Sequence, residues 1–297
     1  MKHRIHPLIA TLIACLGIAP LPEAAAIRID PTPAALAGIM AERRSVLLGE
    51  VHDNGEQHAL RMAALRQRIE AGARPALVFE QFDRERQADI DRVRQERPGD
   101  ADALIAAVGA KNWAWEHYRP FVQIALDHGL PIVAANLSRA DAMKVAASGW
   151  DGVFDASTQT TLGLDRLPAE FVAAHERAVA RGHCDLLPAS ALAPMARAQI
   201  ARDIGLARSL RPYLAEGAVL LSGNGHVRKD IGVPFWLSAD ERRDVVSIGL
   251  LERDSGKAIA DASEHSEQFD VVIETAAAER PDPCAALRKR LQPDARP

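Results

Sequence analysis

Six short apolar runs recur along the chain: Ser45 to Leu48, Ala76 to Phe79, Pro131 to Ala135, Ala218 to Leu221, Val245 to Leu251 and Phe269 to Ile273. Longer stretches of helical periodicity separate them, and that alternation predicts a sheet layered with helices. Between the first two runs, Glu56 to Ala71 carries Leu60, Ala63, Ala64 and Leu65 at helical spacing. Asn54 stands where it can cap that helix, with Gln57 three residues on in the capping-box place. From Arg139 to Leu214 the pattern is almost wholly helical, broken near Pro168, Gly182 and Pro188. The expected fold class is α/β, a layered sheet with flanking helices plus an α-helical insertion subdomain over about 139–214. The main domain would span 27–274, followed by a loose tail over 275–297 rich in Pro and Arg. With 48% hydrophobic and 26% charged residues the chain is neither disordered nor fibrous. There is no internal repeat.

The first 26 residues stand outside that fold. Lys2 and Arg4 precede an apolar run from Leu8 to Leu21, and Ala24, Ala25 and Ala26 supply small residues for cleavage. Positive, then apolar, then small is the pattern of a secretory signal peptide. The run holds 14 residues, short of the roughly 20 that a bilayer span takes. Leu12-Ile13-Ala14-Cys15 also resembles a bacterial lipobox, which would make Cys15 the lipid-bearing first residue and attach the protein to a membrane. Either way the expected location is exported: periplasmic, or anchored at the outer membrane if Cys15 is lipidated. Removal of Lys2, Arg4 and Glu23 takes two from 36 basic and one from 40 acidic residues, leaving 34 and 39, net −5. That balance argues against nucleic acid as a partner, since phosphate binding needs a concentrated positive field. Cys184 and Cys284 remain, and in an oxidising compartment they either pair or stay as two free thiols.

Chemistry gathers just beyond the apolar runs, where ligands bind in open α/β sheets. The first run leads into Gly49-Glu50-Val51-His52-Asp53-Asn54, the second ends in Glu80, and the third ends in Asn136 with Arg139 close behind. The fourth ends in Gly223-Asn224-Gly225-His226, followed by Arg228, Lys229 and Asp230. If the first strand persists to His52, Glu50 and His52 point to one face, because side chains alternate along a strand. Gly-x-x-His occurs at Gly49 to His52, Gly223 to His226 and Gly55 to His58. About 0.6 such matches are expected by chance, so it is the two copies at strand ends, joined by a strand-end Glu80, that point to a site. The bland alternative is that these carboxylates cap helices or pair with Arg while the imidazoles satisfy turns.

Gly49 to Asn54, Glu80-Gln81-Phe82, Asn136 to Arg139 and Gly223 to Asp230 together resemble the ChaN family, exported bacterial haem-binding proteins of the Tiki superfamily, often lipoproteins. The resemblance implies an α/β fold with a helical subdomain and a part in haem or iron uptake. It also implies kinship with metal-dependent peptidases and hydrolases that share paired Gly-x-x-His motifs and a strand-end Glu. Fold transfers more safely than activity does.

The two functions make different demands. Haem needs an axial ligand, an apolar slot and cations for its propionates. Trp113 to Phe121 holds four of the 13 aromatic residues, so Tyr118 or His117 could ligate iron there, with Arg119 near a propionate; His175 in the insertion is a further candidate. The alternative for these aromatics is a helix packing them into the core. A hydrolase would instead hold zinc, manganese or iron through His52, Glu80 and His226, leaving a position for water. Glu50 would act as general base, and Asn224 or Arg228 would steady an oxyanion. Without metal, His52 and Glu50 could serve as a base and its orienter. Covalent haem attachment, a Gly-x-Ser-x-Gly nucleophile and a Walker A loop all lack their motifs. The expected partner is haem or another small ligand, with a second copy of the chain, as a homodimer, left open.

Overall fold

A computed structural model describes residues 26–253 and 267–291. The signal segment and Cys15 lie outside the described residues. Seven strands, β1 (Ile27–Ile29), β2 (Ser45–Leu48), β3 (Ala76–Asp83), β4 (Ile132–Asn136), β5 (Ala218–Leu221), β6 (Val245–Arg253) and β7 (Val271–Ala276), form one sheet in the order β1-β7-β6-β2-β5-β3-β4. Every neighbouring pair is parallel, so all carboxyl ends lie along one edge.

Helices cover both faces of the sheet, which is why its strands read as unbroken apolar runs. Val46, Leu48, Leu77, Phe79, Val219 and Leu221 face one core. They pack against α1 (Pro33–Ala41), α2 (Gly55–Glu70), α3 (Gln87–Glu96), α4 (Ala101–Val108) and α5 (Trp115–Asp127) through Leu36, Leu60, Ile90, Leu104 and Phe121. The alternate residues Leu47, Val78, Val133 and Leu220 meet Leu206, Ala207 and Leu210 of the long helix Ala189–Leu210 on the other face. The insertion contributes α6 (Arg139–Ser148), α7 (Ala156–Leu162), α8 (Ala169–Gly182) and α9 (Ala189–Leu210), which enclose a core of their own around Val145, Phe154, Phe171 and Ile204. The α/β class with a helical subdomain stands.

Two expectations are corrected. The tail is not loose from residue 275, because β7 runs on to Ala276 and Pro283–Leu291 forms a helix. Thr275 is buried and accepts from Gln57, and Cys284 forms a disulfide with Cys184, with Cα atoms 5.7 Å apart. A strand ladder and a covalent link thus override a Pro-rich composition. Asn54 does cap α2, its side chain accepting the Gln57 N–H at 3.0 Å. Gln57, however, closes no capping box; its side-chain Oε1 accepts the Val51 N–H at 2.7 Å and so pins the loop after β2.

Candidate functional site

β2, β5 and β3 are neighbours in the sheet. After β2 the chain crosses beyond β5 to β3, and after β5 it returns past β2 to β6. Loops leaving β2 and β5 therefore run to opposite sides, which opens a crevice between their carboxyl ends. The two loops interlock there. The Asn224 N–H donates to the Glu50 carbonyl at 2.9 Å, and Gly49 donates to Ile248 at 2.8 Å. A Cβ on Gly49 would meet Asn224 Oδ1 at 2.4 Å, and one on Gly223 would meet His52 Cε1 at 2.8 Å. Each glycine of the paired motif is thus the floor on which the other loop rests.

Glu50 and His52 meet, though not along a strand. β2 ends at Leu48, and the turn that follows brings His52 Nδ1 to 2.6 Å from Glu50 Oε1. The same oxygen accepts from the Tyr118 hydroxyl at 3.0 Å. The Glu50 side chain is sealed from solvent while that of His52 is 51% exposed, so the ring is held from behind and open in front. Burial opposes the charge on Glu50, but the His52 bond and the Arg61 charge outweigh it and hold its pKa below the usual carboxylate value. For His52, burial is outweighed by its bond to Glu50 and by the charge of Glu80, and its pKa is raised.

A second carboxylate–imidazole group lies beside the first. Glu80 accepts from the Gly223 N–H at 2.9 Å and faces His226 Nε2 at 3.4 Å, while His226 Nδ1 lies 2.6 Å from Asp203 on α9. Burial disfavours the His226 cation, yet Glu80 and Asp203 together push its pKa up to about 10. Burial likewise works against ionised Glu80, but His226 and the Gly223 N–H hold it down to about 2. For Asp203 burial prevails over His226, and its pKa rises to about 6. At neutral pH the trio is an ionic cluster with a fixed imidazolium at its centre. Arg61 of α2, fully buried with its guanidinium 5.4 Å over the Phe121 ring, is a further cation within electrostatic reach of Glu50 and Glu80.

This donor set does not fit the expected metal site. His226 faces a carboxylate at each nitrogen, Asp203 at 2.6 Å from Nδ1 and Glu80 at 3.4 Å from Nε2. Among the described residues, no three His, Cys, Asp or Glu side chains are grouped to hold a metal ion. Other expected roles change as well. Glu50 is too buried to act as the base and instead orients one. Asn224 uses both ends of its amide on Leu250, its Nδ2 donating to the carbonyl and its Oδ1 accepting the N–H, which clamps the loop to β6. Arg228 is paired through two nitrogens with Asp230. Asn136 accepts from Arg202 at 2.8 Å.

The haem candidates are sorted by exposure. Tyr118 is fully buried, its hydroxyl spent on Glu50 and its pKa raised by burial, so it meets no external ligand. Arg119 is held by two hydrogen bonds to Asp102, which takes it from a propionate. His175 is buried against Phe171, where burial depresses its pKa to about 4. His117 is the reachable one. Its ring stacks on His58, centroids 4.6 Å apart, and lines a groove of 350 Å³ between α2 and α5 with Ala59, Met62, Ala63, Arg66 and Pro120. The groove offers an imidazole, apolar walls and a cation, a set that suits haem. Two other cavities, of 420 and 800 Å³, open at the amino edge of the sheet, and neither is lined by Glu50, His52, Glu80 or His226. Chemistry and cavity volume separate here, and the ionised groups mark the site.

Asp203 and Arg61 were not anticipated. The signal available was a lone charge on a core-facing helix position: Asp203 within Ile200 to Leu206, and Arg61 between Leu60 and Leu65.

Among solved structures, the chain is similar to ChaN of Campylobacter jejuni, described by its cofacial haem binding: TM-score 0.60 and 20% identity, covering 79% of this chain and 89% of that one. It is also similar to the type III effector HopBA1, with TM-score 0.47 and 16% identity over 88% of this chain and 100% of that one. An erythromycin esterase in its open conformation matches with TM-score 0.43 and 14% identity over 88% and 82%. No curated protein matches the sequence. The family model for haem-binding uptake proteins of the ChaN type in the Tiki superfamily matches residues 36–237, and the chain belongs to that family.

Proposed function

We propose that this protein binds haem for haem or iron acquisition, as an exported protein in the periplasm or anchored at the outer membrane through Cys15. The observation that carries this reading is the family match over residues 36–237. The groove between α2 and α5 is where this chain's own residues suit the group. His117 would supply the axial nitrogen, Met62 and Pro120 the apolar contact, and Arg66 a cation for a propionate. Bound haem brings an iron centre whose coordination is set by that axial ligand. The His117 ring is steadied by its stack on His58, which burial keeps neutral with a pKa near 4, so the pair does not repel. Cofacial haem binding is described for the Campylobacter jejuni protein, and haems stacked face to face here would fit a homodimer of this chain. The donor arrangement at the strand ends gives the metal-dependent hydrolase no support.

Titration of the purified protein with haemin tests this. A saturable Soret shift at about one or two haems per chain is expected. His117→Ala should abolish that shift, and Tyr118→Phe should leave it in place. A featureless response in the wild-type protein would remove haem binding, whereas an intact band in His117→Ala would remove only His117 as the ligand.

A further inference from the structure

We propose that the 420 Å³ cavity at the amino edge of the sheet binds a soluble sugar bisphosphate, held by Arg43, Arg44, Arg68 and Arg74. The inference goes beyond haem binding, and the cavity shares no lining residue with the groove that holds His117.

The turns that enter β6, β2, β5 and β3 lie side by side, because those strands are neighbours. Arg43 and Arg44 sit between α1 and β2, Arg68 in the last turn of α2, and Arg74 just before β3. The turns are tied to one another. Arg44 Nη1 donates to the Ala215 carbonyl at 3.1 Å, and a Cβ on Gly217, at φ 111°, would lie 3.0 Å from the Arg44 carbonyl oxygen. Arg74 Nη1 donates to the carbonyls of Ile69 and Ala73 at 2.9 and 2.8 Å, and Arg43 Nη1 to that of Glu42 at 3.1 Å. Cations at helix C-termini commonly make such bonds, and they occupy one nitrogen of each guanidinium. The Nε–Nη2 edge is left over in all three. Elsewhere in this molecule that edge grips a carboxylate by two bonds, in Arg119 to Asp102 at 2.6 and 2.7 Å and in Arg228 to Asp230 at 2.9 and 2.5 Å. The same fork matches the oxygens of a phosphate.

The rest of the lining selects what the phosphates are attached to. Glu42, Glu216 and Asp244 stand in the same cavity, yet among the described residues no ion pair joins them to the four guanidinium groups. Acceptors left beside donors in this way suit a ligand that carries both kinds of group: phosphate oxygens for the arginines and hydroxyls for the carboxylates. A bare anion would use the first set and be repelled by the second. Below them Met40, Val46, Leu65 and Val219 form an apolar floor, against which the C–H face of a sugar can rest. One phosphate can take forks from two arginines, so four arginines match two phosphates. The volume lies within the range of small-molecule sites.

Equilibrium dialysis of the purified protein against fructose 1,6-bisphosphate at low ionic strength tests this. One saturable site per chain is expected, weakening as salt is raised. Arg44→Gln and Arg74→Gln each remove a fork from an exposed side chain and should weaken binding about tenfold or more. Arg44→Lys, which keeps the charge without the fork, should not restore it. Arg92→Gln, an exposed arginine of α3 paired with Glu96, should change nothing. Inorganic pyrophosphate has the charge but no carbon-borne hydroxyls or C–H face, and should bind about tenfold more weakly or worse. Added haemin should leave the affinity unchanged, so the two sites are tested separately. Absence of saturable binding would overturn the proposal, as would pyrophosphate binding as tightly as the bisphosphate. Full affinity in Arg44→Lys, or an equal loss in Arg92→Gln, would show attraction by charge alone and overturn it too. Binding to phosphatidylglycerol vesicles without binding to the bisphosphate would replace the soluble ligand with a lipid headgroup.

Discussion

Gly223 and Gly225 sit two residues apart in one loop, and the structure gives them opposite tolerances. A Cβ on Gly223 would lie 2.8 Å from the His52 ring, while one on Gly225 would meet nothing within 4 Å. Gly223→Ala should therefore turn His52 off its bond to Glu50 and cost about 1–3 kcal/mol through overpacking. Gly225, inside the short helical turn Asn224–Val227, should accept Ala within about 1 kcal/mol of wild type. Thermal melting of both variants checks this; a Gly223→Ala protein as stable as the wild type would remove the interlocked-loop account. The residue scale also shows where sequence reading stops. Paired Gly-x-x-His motifs could be seen in the chain, but not that each glycine serves the other loop's side chains. The Arg228–Asp230 pair is two residues apart and could be read locally, whereas His226 meets Asp203 across 23 residues and only through the fold.

Among the elements, the strands were the most legible, because burial on both faces writes them as apolar runs that end where polarity returns. Five of the six runs coincide closely with β2 to β6, and the last was placed early because Phe269 belongs to the core without belonging to β7. The C-terminal segment was misread for a physical reason. Pro and Arg composition reports the absence of a local preference for order, and here order is imposed from outside by the disulfide to the turn between α8 and α9. In that turn Cys184 and Asp185 both hold positive φ, 57° and 55°, a backbone that a crosslink helps maintain. The bridge closes a separation of 100 residues, for which chain-entropy arguments give about 4.7 kcal/mol, with removal of native bridges typically costing about 2–5 kcal/mol. Reduction should lower the urea midpoint accordingly and raise hydrogen exchange first in Pro283–Leu291. An unchanged midpoint, or protection lost uniformly, would show that the helix is held by its packing and not by the bridge.

For the whole molecule, the ionised groups set opposite slopes of stability on either side of neutrality. His58 and His175 are buried and their pKa values are depressed from 6.5 to about 4. Between those values the unfolded chain binds protons that the folded chain refuses, so stability falls as pH falls, by on the order of 3 kcal/mol for each. Asp203 opposes them in part. Its folded pKa is raised from 3.8 to about 6, so the folded chain takes up that proton first and regains some stability over the same range. On the alkaline side His226 governs. Its folded pKa of about 10 exceeds the ordinary 6.5, so its contribution is complete below 6.5 and is lost as pH rises through 10. Glu80, lowered from 4.5 to about 2, contributes fully above 4.5 and is lost only in stronger acid. These signs place maximum stability near pH 6.5, where the two buried imidazoles are neutral and the one between Glu80 and Asp203 is still charged. Urea midpoints measured from about pH 4 to about pH 10 should trace a dome around that value. His226→Gln should flatten its alkaline limb, because the group whose proton is lost there is gone. A profile that stays level from acid to alkali, or an alkaline limb unchanged in His226→Gln, would mean that the cluster at the strand ends is not the ionic trio its distances describe.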